Sequence, residues 1–268
     1  MSLIYLYCLL PADAQVSSGD IEGLEPGTPV RLVQGGAVRA AVSDVGEEFS
    51  EAQLNARIGD LDWLSPRAVR HHDVVDKLYA RCKLLLPLTF GAIFLSVESL
   101  QQRLASQGQE LLARLDRLQG REQWDLKVTR EQMAFSMHLD EHSPELRQAE
   151  SELAAKPPGT RFLLEKKLRG LQAREAQRIG AGVRKDVHDT LSALAVEAHR
   201  DQLTAPAQPQ STHLELRSAY LVEEAAAGGL EIAARVLFEK YAPLGYAFEL
   251  TGPWPAFAFA GGLREALA

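Results

Sequence analysis

Hydrophobic and polar positions along the first half of the chain form patterns typical of β-strands. Residues 3–10, LIYLYCLL, carry no charge, which predicts a central strand covered on both faces. The runs PVRLV and AVRAAVSDV flank Gly35 and Gly36 and predict a β-hairpin. The run LLLPLTFGAIF, residues 84–94, predicts a further buried strand, in which Pro87 is tolerated only at an edge or a bulge.

Two helices are predicted around that last strand. In the first, apolar residues recur at alternating spacings of four and three over residues 64–82, which places them on one stripe. Ser65 is expected to cap this helix and Pro66 to occupy its first position. The second helix is expected over residues 97–118, and Gly120 provides its C-terminal stop.

The second half of the chain reads strand, helices, strand, strand, helix, strand. Ser143 and Pro144 predict the start of a short helix, and the long helix that follows is expected to bend or project near Gly180. The order β-α-β-β-α-β is the ferredoxin-like arrangement, here with an enlarged helical first crossover. The main elements are expected at residues 124–129, 160–201, 212–224, 229–241 and 245–252.

These elements predict an α+β protein of two domains. Residues 1–120 form the N-terminal domain, a mixed sheet with packed helices, and residues 121–268 form the ferredoxin-like domain and a C-terminal tail. The boundary is placed at residues 120–122 because QWDLKVT begins a new alternating strand directly after them.

Composition and charge exclude several classes of partner. The chain has 268 residues, 46% of them hydrophobic, and a net charge of −7 without a long basic run, so nucleic acid is not an expected partner. The longest apolar run, residues 84–97, is shorter than the roughly 20 residues of a membrane-spanning helix, so no membrane association is expected. Cys8 and Cys82 form no disulfide framework, and the N-terminus lacks signal-peptide features, which favours a cytoplasmic location.

The segment HLDEH, residues 138–142, matches the H-x-x-E-H pattern of a zinc peptidase family. On a helix, His138 and His142 would share a face and Glu141 would activate a zinc-bound water. The segment stands directly before the helix start at Ser143, however, which favours a polar turn. A zinc-dependent hydrolase is therefore kept as an alternative function, and no metal is assigned.

The segment RHHD, residues 70–73, is a second candidate for chemistry. His71 lies on the apolar stripe, and His72 stands beside Asp73. Such a grouping is compatible with general acid–base catalysis by an imidazole. No nucleophile can be placed beside them, and a buried histidine whose ring N–H meets a backbone carbonyl is the favoured interpretation. Since Walker A and G-x-G-x-x-G patterns are also absent, neither catalysis nor a cofactor is expected.

Taken in order, eight segments resemble the gas vesicle protein L/F family (GvpL/GvpF), accessory proteins that accompany the shell protein in buoyant microbes. LLPLTFG and LTGPWP are the most specific of them. The segments span nearly the whole chain and are IYLYCLL, AAVSDV, DLDWLSPRAVRHHDVV, LLPLTFGAIF, REQWDLKV, GTRFLLEKKLR, AYLVEE and ELTGPWPAFAFA.

The resemblance implies a non-catalytic protein that takes part in gas vesicle assembly and is associated with the vesicles. Its implied partners are the very hydrophobic major shell protein and other gas vesicle accessory proteins. A ferredoxin-like small-ligand sensor remains an alternative by fold analogy. The motif residues that we take as interaction candidates are His72, Asp73, Pro87, Phe90, Gly91, Phe94, Trp124, Thr251, Gly252, Pro253, Trp254, Pro255 and Phe257.

The aromatic C-terminal segment leaves two interpretations open. In one, Trp254 and Phe257 fold back over a sheet and close the protein's own core. In the other, this segment or a neighbouring sheet edge accepts an apolar helix or strand of the shell protein.

Overall fold

The structure is a computed structural model that describes residues 3–57, 59–203 and 211–262. The chain divides into two compact units. Unit 1 comprises Met1–Gln123 and Pro253–Ala268, and unit 2 comprises Trp124–Gly252. The change of unit after Gln123 lies close to the predicted boundary. The tail from Pro253 onward groups with unit 1, whereas the sequence placed it in the second domain, because its apolar side chains pack on the core of unit 1.

Unit 1 is built on a sheet whose central strand is buried from Leu3 to Leu10. Elements on both sides cover this strand, as its uncharged sequence predicts. Its observed pairings are antiparallel, which differs from the predicted mixed sheet, and the strand order is β2-β3-β1-β4 with β5 also on β1. The strands are β1 Leu3–Pro11, β2 Arg31–Gly35, β3 Val38–Val45, β4 Leu86–Pro87 and β5 Ile93–Phe94.

The hairpin between β2 and β3 is confirmed. Gly35 pairs with Val38, and the turn between them contains Gly36 with φ of 73°. A side chain at a positive φ is strained, so glycine suits this turn.

The predicted single strand over residues 84–94 is wrong, since the segment forms β4 and β5 with a turn between them. Tyr5 of β1 pairs with Ile93, and Cys8 pairs with Pro87. Between these two pairs, β1 has two residues, Leu6 and Tyr7, whereas the opposite segment has five, residues 88–92. Pro87 has no N–H to donate to a ladder and lies in β4, at the edge of the sheet, as expected.

Within its described residues, unit 1 has four α-helices. Of the two helices that the sequence predicts here, one begins earlier than predicted and the other is divided in two. The longest starts at Leu61 because Asp60 accepts a hydrogen bond from the backbone N–H of Trp63, so Pro66 lies inside the helix. The helix expected over residues 97–118 is divided at Gln107. The four helices are α1 Glu51–Arg57, α2 Leu61–Cys82, α3 Val97–Ser106 and α4 Gly108–Leu118.

Unit 2 has the ferredoxin-like order that the sequence predicts. Its sheet runs β7-β8-β6-β9, and the connection from β6 to β7 passes through three helices, the enlarged crossover. Its elements are β6 Arg121–Glu131, α5 Gln132–Met137, α6 Pro144–Ala154, α7 Pro158–Ser192, β7 Glu197–Arg200, β8 Thr212–Glu223, α8 Ala227–Tyr241 and β9 Tyr246–Trp254.

In the crossover, a local signal sets the start of α6, whereas pairing with a distant strand accompanies the end of α7. Ser143 caps α6 by accepting from the N–H of Leu146, as predicted. The helix α7 is continuous through Gly180 and ends at Ser192, earlier than expected. Strand β7 takes the following residues because they pair with β8, an interaction distant in sequence. Among the helices of the described ranges, none has the length and apolar character needed to cross a bilayer.

Candidate functional site: an apolar groove beside a buried histidine

A groove of about 520 Å³, lined mainly by apolar residues and also by Ser50, Glu51 and Asn55, lies in unit 1 along strand β5. Leu95, directly after β5, stands at the groove with 83% of its surface exposed. Contiguous exposed apolar patches, rather than single side chains, mark contact surfaces, and Leu95 adjoins the apolar part of this lining. The other apolar residues of its lining are Leu3, Phe49, Leu54, Ala92, Ile93 and Phe94.

A buried histidine fixes the chain that leads into this groove. The Nε2 of His71 lies 2.8 Å from the carbonyl oxygen of Leu88, which can only accept, so Nε2 carries the proton. Nδ1 then accepts from the hydroxyl of Tyr5 at 2.9 Å. The same hydroxyl accepts from the N–H of Gly91 at 3.1 Å. These hydrogen bonds join α2, β1 and the turn between β4 and β5.

This network requires a neutral imidazole, and its surroundings keep it neutral. Burial lowers the pKa of His71 from 6.5 to about 4, an effect that outweighs the opposing hydrogen bond to Leu88. The rings of Tyr5 and Tyr7 lie 5.7 Å from the imidazole by centroid. His71 therefore has a positioning role, and the ring-to-carbonyl contact favoured from the sequence is present.

The neighbouring motif residues His72 and Asp73 are both exposed. The ring of His72 lies 4.6 Å by centroid from that of Phe257 in the C-terminal tail. The structure thus brings His72 together with Phe257. The ring of Phe90 lies 6.1 Å by centroid from that of His71. The rings of His71 and His72 lie 5.6 Å apart by centroid, in an edge-to-face arrangement.

The aromatic tail packs on unit 1. Pro255 is buried, Phe257 is half-buried against the core of unit 1, and the N–H of Ala258 donates to the side chain of Gln123 at 2.9 Å. Trp254 keeps 40% of its surface exposed. The segment therefore anchors itself mainly through residues after Trp254.

The remaining motif residues are not among those that line the groove. Trp124 belongs to the hydrophobic core of unit 2. Thr251 and Gly252 are half-buried in β9, and Pro253 is exposed. Phe94 and Gly91 line the groove in unit 1.

The zinc-peptidase pattern does not form a helical face. His138 ends α5, and Asp140–His142 is a separate turn of 3₁₀ helix, so the histidines lie in a turn as the sequence favours. The Nδ1 of His138 is 3.2 Å from the Glu141 carboxylate. Across the described ranges, no group of three or more His, Cys, Asp or Glu side chains is placed to hold a metal ion.

The sequence does not predict two residues of this site. Tyr5 resembles any other apolar member of a buried strand, and its hydrogen bonds depend on residues 66 and 86 positions away. Leu95 stands at the end of an apolar run, which does not predict its exposure. The signal for its exposure is Ser96, which caps α3 and so turns the chain immediately after it.

Gly91 offers a first test of the turn. Its φ of 94° is unfavourable for any residue with a Cβ, so Gly91→Ala is expected to destabilise unit 1 by about 1–2 kcal/mol. Urea unfolding followed by circular dichroism measures this loss. Gly59→Ala, which meets no atom within 4 Å of its added Cβ, is the control with little expected effect. Equal stabilities of the two variants would contradict the strained turn.

Three comparisons relate the chain to known proteins. A family model described as "Gas vesicle synthesis protein GvpL/GvpF" matches residues 3–261. The chain is 32% identical over 245 residues to gas vesicle protein L of Streptomyces sp. (strain CB03234), with 89% of this chain and 86% of that protein covered.

Solved structures share the fold at lower identity. The crystal structure of GvpF from Anabaena sp. PCC7120 is similar with a TM-score of 0.68 at 16% identity, covering 97% of this chain and 96% of that one. That of GvpF from Microcystis aeruginosa gives a TM-score of 0.63 at 16% identity, covering 96% and 98%. With its fold matched and the family model extending over nearly its whole length, the chain belongs to the GvpL/GvpF family of gas vesicle proteins.

Proposed function

We propose that this protein acts without catalysis in gas vesicle assembly by binding an apolar segment of the major shell protein in the β5 groove. Other gas vesicle accessory proteins are its further proposed partners, and its proposed location is the cytoplasm, on or beside growing vesicles. The observation that carries the proposal is Leu95, 83% exposed beside an apolar groove of about 520 Å³.

The physical basis is the cost of leaving apolar surface in water. A shell subunit that repels water on one face aggregates while it is free, so a protein that covers that face promotes assembly. Burying one leucine side chain contributes about 1.5–3 kcal/mol, and Leu95 has most of this contribution still available for a partner.

Hydrogen bonds hold the chain beside the groove in a fixed conformation. Phe94 and Gly91 belong to the family-like segment LLPLTFGAIF, and the hydrogen bonds from His71 to Leu88 and from Gly91 to Tyr5 hold the turn at residues 88–92. A fixed turn loses little conformational entropy when a partner binds, which favours affinity. This arrangement supports a docking role for the segment rather than a chemical one.

The test is Leu95→Asp, which places a charge at the groove and leaves the core unchanged. We expect at least about a tenfold weaker association with the shell protein in a quantitative pull-down, since one buried aliphatic anchor is lost. Vesicle number in a co-expressing host should fall with it.

The matched control is Leu61→Asp, on α2 of the same unit, where the leucine is 68% exposed and is not among the residues that line the groove. It should retain wild-type association. Equal binding by the two variants would assign the contact to another surface. No association of the wild-type protein with the shell protein would refute the proposed function itself.

A further inference from the structure

A second groove, of about 440 Å³, runs between α6 and α7 in unit 2. The two helices are joined by three residues, 155–157, and form an antiparallel hairpin. The groove has an apolar floor formed by Ala149, Leu153, Leu164, Leu168 and Leu171. These floor side chains are only half-buried, so the hairpin presents an apolar stripe that its own chain does not cover completely.

The two walls of this groove carry opposite charges. Glu145 and Glu152 stand on the α6 wall, and Lys167 and Arg174 stand on the α7 wall. Glu145 and Arg174 lie level, with 3.2 Å between carboxylate and guanidinium. Glu152 is seven residues further along α6 and Lys167 seven residues earlier on α7, a rise of about 10 Å on each helix, so this pair is level too.

Such a surface is complementary to itself. A two-fold axis running along the groove places α6 of one copy over α7 of the other, and the two helices run antiparallel. The acidic wall of each copy then faces the basic wall of the other. A two-fold axis across the groove places acidic wall on acidic wall instead. Only the first arrangement satisfies the charges, and it also closes both apolar floors against each other.

We propose that two copies of this chain associate through their α6–α7 hairpins as a symmetric four-helix bundle. In it, Glu145 of each copy faces Arg174 of the other, and Glu152 faces Lys167. Side chains that flank an apolar seam in this way set partner choice in helical bundles. The association does not depend on the groove along β5 or on the gas vesicle role.

The contact covers short helical stretches, so it is a weak, concentration-dependent dimer rather than an obligate one. Sedimentation velocity of the full chain from micromolar to millimolar concentration should show a shift from monomer to dimer. The double variant Glu145→Lys, Glu152→Lys turns four attractive pairs into repulsive ones and should raise the dissociation constant at least about 30-fold.

The complementary variant Lys167→Glu, Arg174→Glu should weaken self-association to a similar degree. An equimolar mixture of the two variants should restore the dimer, because one copy then has two basic walls and the other two acidic walls. The control Glu231→Lys, Glu239→Lys changes the net charge equally on exposed positions of α8 and should dimerise like the wild type.

Each outcome decides the proposal. Dimerisation lost in both reversals and restored on mixing supports it. A monomer at every concentration, a dimer insensitive to the reversals, or a mixture that stays monomeric overturns it. Glu145 and Arg174 are each about two-thirds exposed, so folding should survive the changes. If a double variant fails to fold, Glu152→Lys and Lys167→Glu, singly and mixed, carry the same test.

Discussion

Replacing Glu215 by alanine is expected to lower the free energy of unfolding of unit 2 by about 3 kcal/mol. The carboxylate is buried and forms two ion pairs, at 2.8 Å to Nε of Arg130 and at 2.5 Å to Nη1 of Arg184. Arg130 is also largely buried and lies over the ring of Phe135 at 3.9 Å. Removal of Glu215 leaves this guanidinium without its counter-charge inside the protein, which is the source of the loss.

Chemical denaturation followed by circular dichroism measures that loss. The control is Glu249→Ala, where an exposed carboxylate pairs with Lys127 at 3.1 Å and should contribute well under about 1 kcal/mol. If both variants lost the same small amount, the buried pairs around Glu215 would not have the stabilising role assigned to them.

Lowering the pH from 7 to 4 is expected to remove about 3 kcal/mol of stability from unit 1 through His71 alone, at about 1.4 kcal/mol per pKa unit. Burial lowers its pKa from 6.5 to about 4, so the folded state binds the proton more weakly than the unfolded chain. The contribution is therefore fully present above pH 6.5, is lost as the pH falls from 6.5 towards 4, and levels off below.

The measurement compares the pH dependence of unfolding for the wild type and His71→Gln. The variant should be less stable at pH 7 and should lose less stability on acidification. His142→Gln, at an exposed position, should keep the wild-type stability at pH 7. Hydrogen exchange of the β1 amides locates the effect in unit 1. Identical pH slopes for His71→Gln and the wild type would contradict the neutral, buried imidazole.

Much of the fold was predictable because its signals are local. The uncharged run at residues 3–10 predicts a strand covered on both faces, and Ser143 predicts a helix start; both are confirmed. The ferredoxin-like order of unit 2 follows from the succession of strand and helix patterns, which the sheet order β7-β8-β6-β9 confirms.

The errors occur where a distant partner decides between local alternatives. Residues 84–94 have the composition of one strand, but the register with β1 and the positive φ of Gly91 divide it. The long helix ends at Ser192 because the next residues pair with β8. For α2, Asp60 provides a better-placed cap than Ser65, a choice between two acceptable local signals.

The candidate site was predictable only in part. The segment resemblance indicated Phe94, Gly91, His72 and Asp73, because those residues stand in the family-like runs. The groove itself depends on the approach of residues 49–55 to β5, and the orientation of His71 depends on Tyr5 and Leu88. Neither contact has a signature in the local sequence.

The sequence by itself determined the class of the protein: an α+β chain of two parts, with the ordered segments of the GvpL/GvpF family. Hydrophobic periodicity and capping residues act over a few positions, so they can be recognised in the sequence. The order of the family-like segments along the chain can be recognised there too. Tertiary structure alone decided which side chains meet, which histidine is buried and neutral, and that the tail packs with unit 1. The physical reason is that burial and hydrogen-bond partners are set by residues far apart in the chain, whereas propensity is set by neighbours.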